Sequence, residues 1–232
     1  MTLDAQFETI EATSETGTPR SDVVYRAILD AIYQGRMPPG SVINEAALAQ
    51  EFGVSRGPVR EAIRRLQGIQ LITREPYIKS RVVTLDATTA RELFELRMAL
   101  EGMACHIDAR RMSETEIDTL ISELERSRHS YVSDAPGDGA VFDFHERIVR
   151  ACGNARIISL LCGDLYHLLR IYRRHSGAIV ERKEEAYDEH WQILRAIKAR
   201  DPQLAESLMR SHVRRAARNL FDHLDGENLP DI

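Results

Sequence analysis

The sequence predicts a mainly α protein in two parts: an N-terminal three-helix unit completed by a small β-hairpin, then an all-α six-helix bundle. Three observations carry this expectation. Apolar residues recur at helical spacing over most of the chain beyond its first twenty residues. Short β-prone runs stand together at one place, around residues 71–85. Charge is also divided along the chain. Residues 20–83 hold ten Lys or Arg against six Asp or Glu, a balance of +4, which leaves −9 for the remainder of a chain whose net charge is −5.

At 232 residues, 43% of them hydrophobic, the chain is long enough for two globular domains. Its first nineteen residues carry four acids and no base, with several Ser and Thr, so residues 1–20 read as a mobile leader rather than a signal peptide. No apolar run approaches the roughly 20 residues that span a bilayer. Cys105, Cys152 and Cys162 stand singly in helical contexts, as reduced thiols do. The expected location is cytoplasmic, with no membrane partner. The local excess of base is either the footprint of a polyanion-binding module or plain solvation.

The first domain is expected over residues 21–85. Ser21 can cap a helix running to about Gly35, with Val24, Ile28, Ala31 and Ile32 on one face, and Met37-Pro38-Pro39-Gly40 ends it. A second helix covers about Glu45 to Phe52, and Gly53 breaks the chain. Ser55 is placed to cap a third helix, with Pro58 in its first turn, where the missing N–H does little harm. In that helix Val59, Ala62, Ile63 and Leu66 form one stripe, while Arg56, Arg60 and Arg64 follow at i, i+4, i+8 on another. Leu71-Ile72-Thr73-Arg74 and Arg81-Val82-Val83-Thr84-Leu85 fit the two arms of a hairpin. Helix, turn, helix and hairpin make a winged helix-turn-helix, whose third helix enters the major groove of double-stranded DNA. An arginine there can pair with guanine O6 and N7 while other cations hold phosphates. The alternative is a helical surface laced by ion pairs, with Glu61 satisfying Arg65.

Ala31-Ile32-Tyr33-Gln34-Gly35, Pro39-Gly40, Asn44-Glu45-Ala46-Ala47-Leu48-Ala49 and Gly53-Val54-Ser55-Arg56-Gly57-Pro58-Val59-Arg60-Glu61-Ala62 closely resemble the DNA-binding domain of GntR-family bacterial transcription regulators. The resemblance implies DNA contacts at Arg56 and Arg60, with Gly57 where the helix N-terminus approaches the backbone of the duplex. Ser55, Arg64, Lys79 and Arg81 complete the candidate DNA-binding set. Two departures from the family pattern stand out: Gln70 occupies a position usually held by glycine, and Tyr77-Ile78-Lys79-Ser80 replaces a glycine at the wing tip.

The second domain is expected over residues 86–226, with helices near 89–111, 113–131, 140–152, 155–175, 179–199 and 202–224. Thr89-x-x-Glu92 and Ser113-x-x-Glu116 have the form of capping boxes, while Gly153-Asn154 and Asp201-Pro202 punctuate later helices. If the last two helices form an antiparallel hairpin around Asp201, His190 and His212 each lie eleven residues from the turn, at one height about 16 Å away. His145 can add a third imidazole from an earlier helix. Three convergent histidines suit a divalent first-row metal with an open position; otherwise they are ordinary surface or hydrogen-bonded core residues.

Phe144-His145 with Gly153-Asn154, Glu189-His190 and Ser211-His212 resemble the FCD ligand-binding domain of the FadR subfamily of GntR regulators. The resemblance implies a metal held by His145, His190 and His212, zinc or else nickel or another first-row ion. In metal-binding members an aspartate four residues before the first histidine is a further ligand, and Val141 stands there in this chain. Asp143 lies on a different side of the helix. His167 either replaces that ligand, lines the cavity or is structural. Glu95-Leu96-Arg97-Met98-Ala99-Leu100-Glu101 resembles the family's first ligand-domain helix. Its Arg97 either forks a carboxylate effector or pairs with Glu101 at i, i+4. Arg97, His167 and Asn154 are therefore the candidate effector contacts.

The expected function is transcription regulation, repression in the first place, by a homodimer on a short palindromic operator, controlled by a small carboxylate effector. A metal-dependent hydrolase using the three histidines is the alternative. No acid or base partner is evident beside them, since Glu146 and Glu189 are neighbours in sequence only.

Overall fold

The computed structural model describes residues 19–73, 79–84, 86–132, 143–176 and 180–224. Most of the expected leader, the residues 74–78 at the wing tip, and Val141 lie outside these. The chain divides between residues 85 and 86 into two compact units.

In the first unit, α1 spans Arg20–Tyr33, α2 Glu45–Glu51 and α3 Arg56–Gly68. The expected apolar faces are the buried ones: Val24, Ile28, Ala31 and Ile32 on α1, and Val59, Ala62, Ile63 and Leu66 on α3. The two faces pack against each other. Burying each of the larger aliphatic side chains contributes about 1.5–3 kcal/mol. The caps differ from expectation. Pro19 precedes α1, so Ser21 lies inside the first turn, and Ser55 stands at the N-cap position of α3 without a capping bond from its side chain. The capping residue here is Asn44, whose Oδ1 accepts from the amides of Ala46 and Ala47 at 3.1 and 3.2 Å. Gly53, at φ 60°, takes the left-handed conformation that turns the chain from α2 towards α3.

The hairpin is short. Strands β1 (Ile72–Thr73) and β2 (Arg81–Val82) pair antiparallel, Ile72 opposite Val82 and Thr73 opposite Arg81. Ile72 and Val82 point into the core, Thr73 and Arg81 to solvent. Val42 bridges to Arg81, and the Ile43 amide donates to the Ser80 carbonyl at 2.8 Å, tying the strand to the segment before α2.

The second unit is helical throughout its described residues: α4 Ala87–Arg111, α5 Glu114–Val132, α6 Phe144–Ala151, α7 Ala155–Ser159, α8 Tyr166–Ser176, α9 Val180–Lys198 and α10 Pro202–Leu224. Helix α10 packs along α4 at close range. A Cβ on Gly102 would come within 2.9 Å of Arg210 Cγ, so that crossing requires a residue without a side chain. The Ser113/Glu116 capping box is present, with the Ser113 amide donating to Glu116 at 2.9 Å and the Glu116 amide to Ser113 Oγ at 3.3 Å. Thr89 is not a cap; Asp86 caps α4 by accepting from the Thr89 amide at 2.8 Å. The helix expected over 155–175 is also divided. A π-helical turn, Leu160–Asp164, separates α7 from α8. Turns of this kind are rare inside helices and recur beside functional sites.

Candidate functional site

On the first unit, α3 presents Arg56, Arg60 and Arg64 as exposed side chains on a stripe beside its buried face. Arg60 Nε donates to Glu45 Oε2 at 2.9 Å across the turn, and Arg64 Nη2 reaches Glu61 at 2.8 Å within the helix. Glu61 thus serves Arg64 rather than Arg65. Arg65 instead pairs with Asp22 of α1, its guanidinium 4.2 Å from the centre of the Tyr25 ring. Both contacts tie Arg65 to the fold. The Ser55 hydroxyl, making no cap, stands exposed at the N-terminus of α3. A Cβ on Gly57 would meet only Ser55 Oγ at 3.9 Å, so nothing inside the protein demands glycine there. A helix N-terminus with glycine in its first turn suits close approach to a phosphate. Lys79 is exposed beside the hairpin, whereas Arg81 donates to the Gly40 carbonyl at 2.9 Å.

In the second unit the three histidines meet. His145 comes from α6, His190 from α9 and His212 from α10, and each offers a ligand atom within 4.8 Å of the others. His212 Nε2 lies 3.2 Å from His190 Nε2 and 3.2 Å from His145 Nε2. The Phe144 ring stacks on His190 at 3.9 Å between centroids and holds its plane.

Two carboxylates fix which nitrogens face inward. Glu101 Oε2 lies 2.7 Å from His145 Nδ1, and Glu189 Oε2 lies 2.5 Å from His212 Nδ1. A carboxylate accepts, so each Nδ1 carries a proton, and in the neutral ring, the form that binds a metal, Nε2 keeps its lone pair. Bare lone pairs at 3.2 Å repel unless a cation or proton stands between them. Two nitrogens bonded to one ion at about 2.0–2.1 Å stand roughly 3.0–3.4 Å apart across an octahedral or tetrahedral edge, which matches the spacing found. The donor set therefore fits a first-row divalent metal.

Behind each carboxylate stands an arginine. Arg97 Nε donates to Glu101 Oε1 at 2.7 Å, and Arg215 pairs with Glu189. Burial favours the neutral form of Glu101, yet Arg97 and then His145 outweigh it and hold the group well below the usual carboxylate range. Of the two readings of Arg97, the i, i+4 pair is the one found. It is a buried pair, since Arg97 is 1% exposed.

Beside His145 lies a cavity lined by Glu101, Glu146, Cys162 and Tyr166 together with Val149, Leu161 and Leu169. It has about 10 Å³ of room for the centres of water-sized molecules. That is space for roughly one water. The π turn places Cys162 on this wall. Neither Asn154 nor His167 is among the lining residues. Asn154 caps α7, accepting from the amides of Arg156 and Ile157, and Asp143 caps α6 in the same way. His167 is half-buried with its ring 5.3 Å from Tyr166, and burial, then the charge of Arg170, lowers its pKa.

The sequence offered Glu101 as the i, i+4 partner of Arg97 and Glu189 as the neighbour of His190, but not their places beside His145 and His212. It assigned Cys162 and Tyr166 no place at the site.

Residues 20–82 match the model of the bacterial regulatory proteins of the gntR family, and residues 92–215 match the FCD domain. The "Probable D-xylose utilization operon transcriptional repressor" of Paenarthrobacter nicotinovorans is 31% identical over 212 residues, covering 88% of this chain and 91% of that protein. The HTH-type transcriptional repressor GlaR of Escherichia coli (strain K12) is 28% identical over 199 residues, with 82% and 90% covered. The solved structure of E. coli McbR/YncC superposes with a TM-score of 0.68 at 16% identity, over 90% of this chain and 100% of that one, a likeness of fold. A helix-turn-helix unit joined to a helical ligand-type domain defines a DNA-binding transcription regulator. The chain belongs to the GntR family and carries an FCD domain. Its relatives are regulators rather than enzymes, and the hydrolase reading finds no support among them. No described helix is long and apolar enough to cross a membrane.

Proposed function

We propose that this protein is a homodimeric repressor whose hold on operator DNA is set by a small carboxylate effector bound at a metal in the second unit. The observation that carries the reading is the convergence of three histidine nitrogens, two of the rings oriented by buried carboxylates, beside a small cavity. His145, His190 and His212 would hold the ion, which supplies a positive charge able to bind a carboxylate oxygen directly. Glu101 and Glu189 keep the imidazoles in the metal-binding tautomer and orientation, as carboxylates behind metal-bound histidines generally do. His190 is set by its stack on Phe144.

The cavity admits a water and not a carboxylate metabolite, so effector binding requires the walls around Cys162 and Tyr166 to open. A ligand that prefers the opened form shifts the population towards it, and a change that extends to the DNA-binding units alters operator affinity. Repression is supported by the two relatives named as repressors, one of them of a D-xylose utilization operon. On the DNA-binding unit, Arg56 and Arg60 approach the major groove, while Ser55, Gly57, Arg64 and Lys79 meet the phosphate backbone; Arg81 joins them only by leaving Gly40. Two copies are needed because one recognition helix reads only a few base pairs.

The test is elemental analysis with calorimetric titration of small carboxylates, on wild type and His190→Ala, before and after chelation. Metal in the wild type and an effector response lost with it are expected. Equal effector affinity in both proteins, with metal in neither, would reduce the histidines to ordinary core residues.

A further inference from the structure

We propose that Glu45 is a specificity-determining residue, which holds the Arg60 guanidinium by its Nε so that the two terminal amino groups face one guanine. The inference rests on the reading that Arg60 contacts a base.

Glu45 is the first residue of α2, a position fixed by the Asn44 cap one residue earlier. Helix α2 packs on α3, and the carboxylate reaches across the turn to accept from Arg60 Nε at 2.9 Å. Among the described residues, Arg60 is the member of the Arg56, Arg60, Arg64 stripe that is braced from a second helix. The Arg64 pair stays within α3. A brace from a separate helix fixes the direction of a long, rotamer-rich side chain as well as its position.

The chemistry of the remaining guanidinium edges supports this role. With Nε engaged, Nη1 and Nη2 form an end-on fork of the spacing that guanine O6 and N7 accept. The side chains are 65% and 29% exposed, and an ion pair so open adds little to folding stability. A carboxylate on a surface that meets phosphates also opposes binding. The first turn of α2 favours an acid whatever it touches, but neither the stability of the ion pair nor general affinity accounts for its reach to Arg60, whereas orientation of a base-reading arginine does.

The experiment uses the full-length protein and a duplex selected by the wild type from a randomised library, with each single-base variant of that duplex, read by fluorescence anisotropy. Arg60→Ala should lose preference at one base pair. Glu45→Ala should lose roughly tenfold of the preference at that same base pair. Glu45→Gln keeps an acceptor for Nε and should keep the preference. Both Glu45 variants should bind a random duplex about two- to threefold more tightly, since one negative charge has left the DNA-facing surface. Unchanged base preference in Glu45→Ala, with Arg60→Ala selective for the loss, would overturn the role of Glu45 alone. Equal loss in Glu45→Ala and Glu45→Gln would overturn it too, by making charge the cause. If Arg60→Ala retains every preference, the base-reading role of Arg60 falls, and the role of Glu45 with it.

Discussion

Asp108 lies on the buried face of α4 with 0% exposure, and among the described residues neither carboxyl oxygen has a hydrogen-bond partner. Burial, with a smaller push from the charge of Glu116, raises its pKa to about 8 from an ordinary 3.8. The native protein therefore keeps a proton there that the unfolded chain releases above about pH 4. Its contribution is fully present below the unfolded pKa and is lost as pH rises towards the folded one. Across that window stability falls by up to about 1.4 kcal/mol per pH unit, a cumulative loss of about 4 kcal/mol by pH 7. Asn has nearly the same shape and no proton to lose, so Asp108→Asn should remove the slope. Urea unfolding followed by the fluorescence of Trp191, the chain's single tryptophan, on α9 of the same unit, gives the difference between variant and wild type. Histidines and other carboxylates titrate in both proteins and cancel in that difference. It should already stand about 1.6 kcal/mol above its acid-side value near pH 5, grow steadily to pH 7.5 and level off above about 8. Penetration of water to the carboxyl would reduce the height of the curve, though not its direction. Parallel stability curves between pH 5 and 8 would refute the reasoning.

Three further outcomes follow from the same contacts. Glu189→Gln weakens the orientation of His212 and should lower metal affinity by roughly 10- to 100-fold, measured by competition with a chromophoric chelator; unchanged affinity would remove Glu189 from the site. Arg64→Ala, if it removes a phosphate contact, should weaken binding to all DNA sequences alike and reduce the slope of log affinity against log salt by about one per protomer; an unaltered slope would place Arg64 off the DNA. Gln70 holds φ 60°, a conformation glycine adopts freely, so Gln70→Gly should stabilise the first unit by up to about 1 kcal/mol in chemical denaturation. A loss of stability would show that the Gln70 side chain contributes more than its backbone strain removes.

What the sequence determined by itself is whatever depends on spacing along one element or across one tight turn. The stripe Val59, Ala62, Ile63, Leu66, the Ser113/Glu116 box and the opposition of His190 to His212 all follow from residues per turn and rise per residue, which are the same in every helix. Local choices among equivalent signals were less legible. Asp86 rather than Thr89 caps α4, and Ser55 stands at the N-cap position of α3 without bonding through its side chain, because the backbone path at each helix start decides which polar side chain reaches an amide. The break at Leu160–Asp164 carried Gly163 but no proline, and a lone glycine was too weak a signal to divide the helical pattern. Only the tertiary structure brought Glu101 from α4 to His145, Glu189 to His212, and Glu45 from α2 to Arg60, and only it sealed Asp108 from water. Helix crossings set these pairings. A single sequence records which face of each helix is apolar, but not which polar side chains that crossing will bury together, and in a low-dielectric interior those meetings fix protonation, metal-binding geometry and stability.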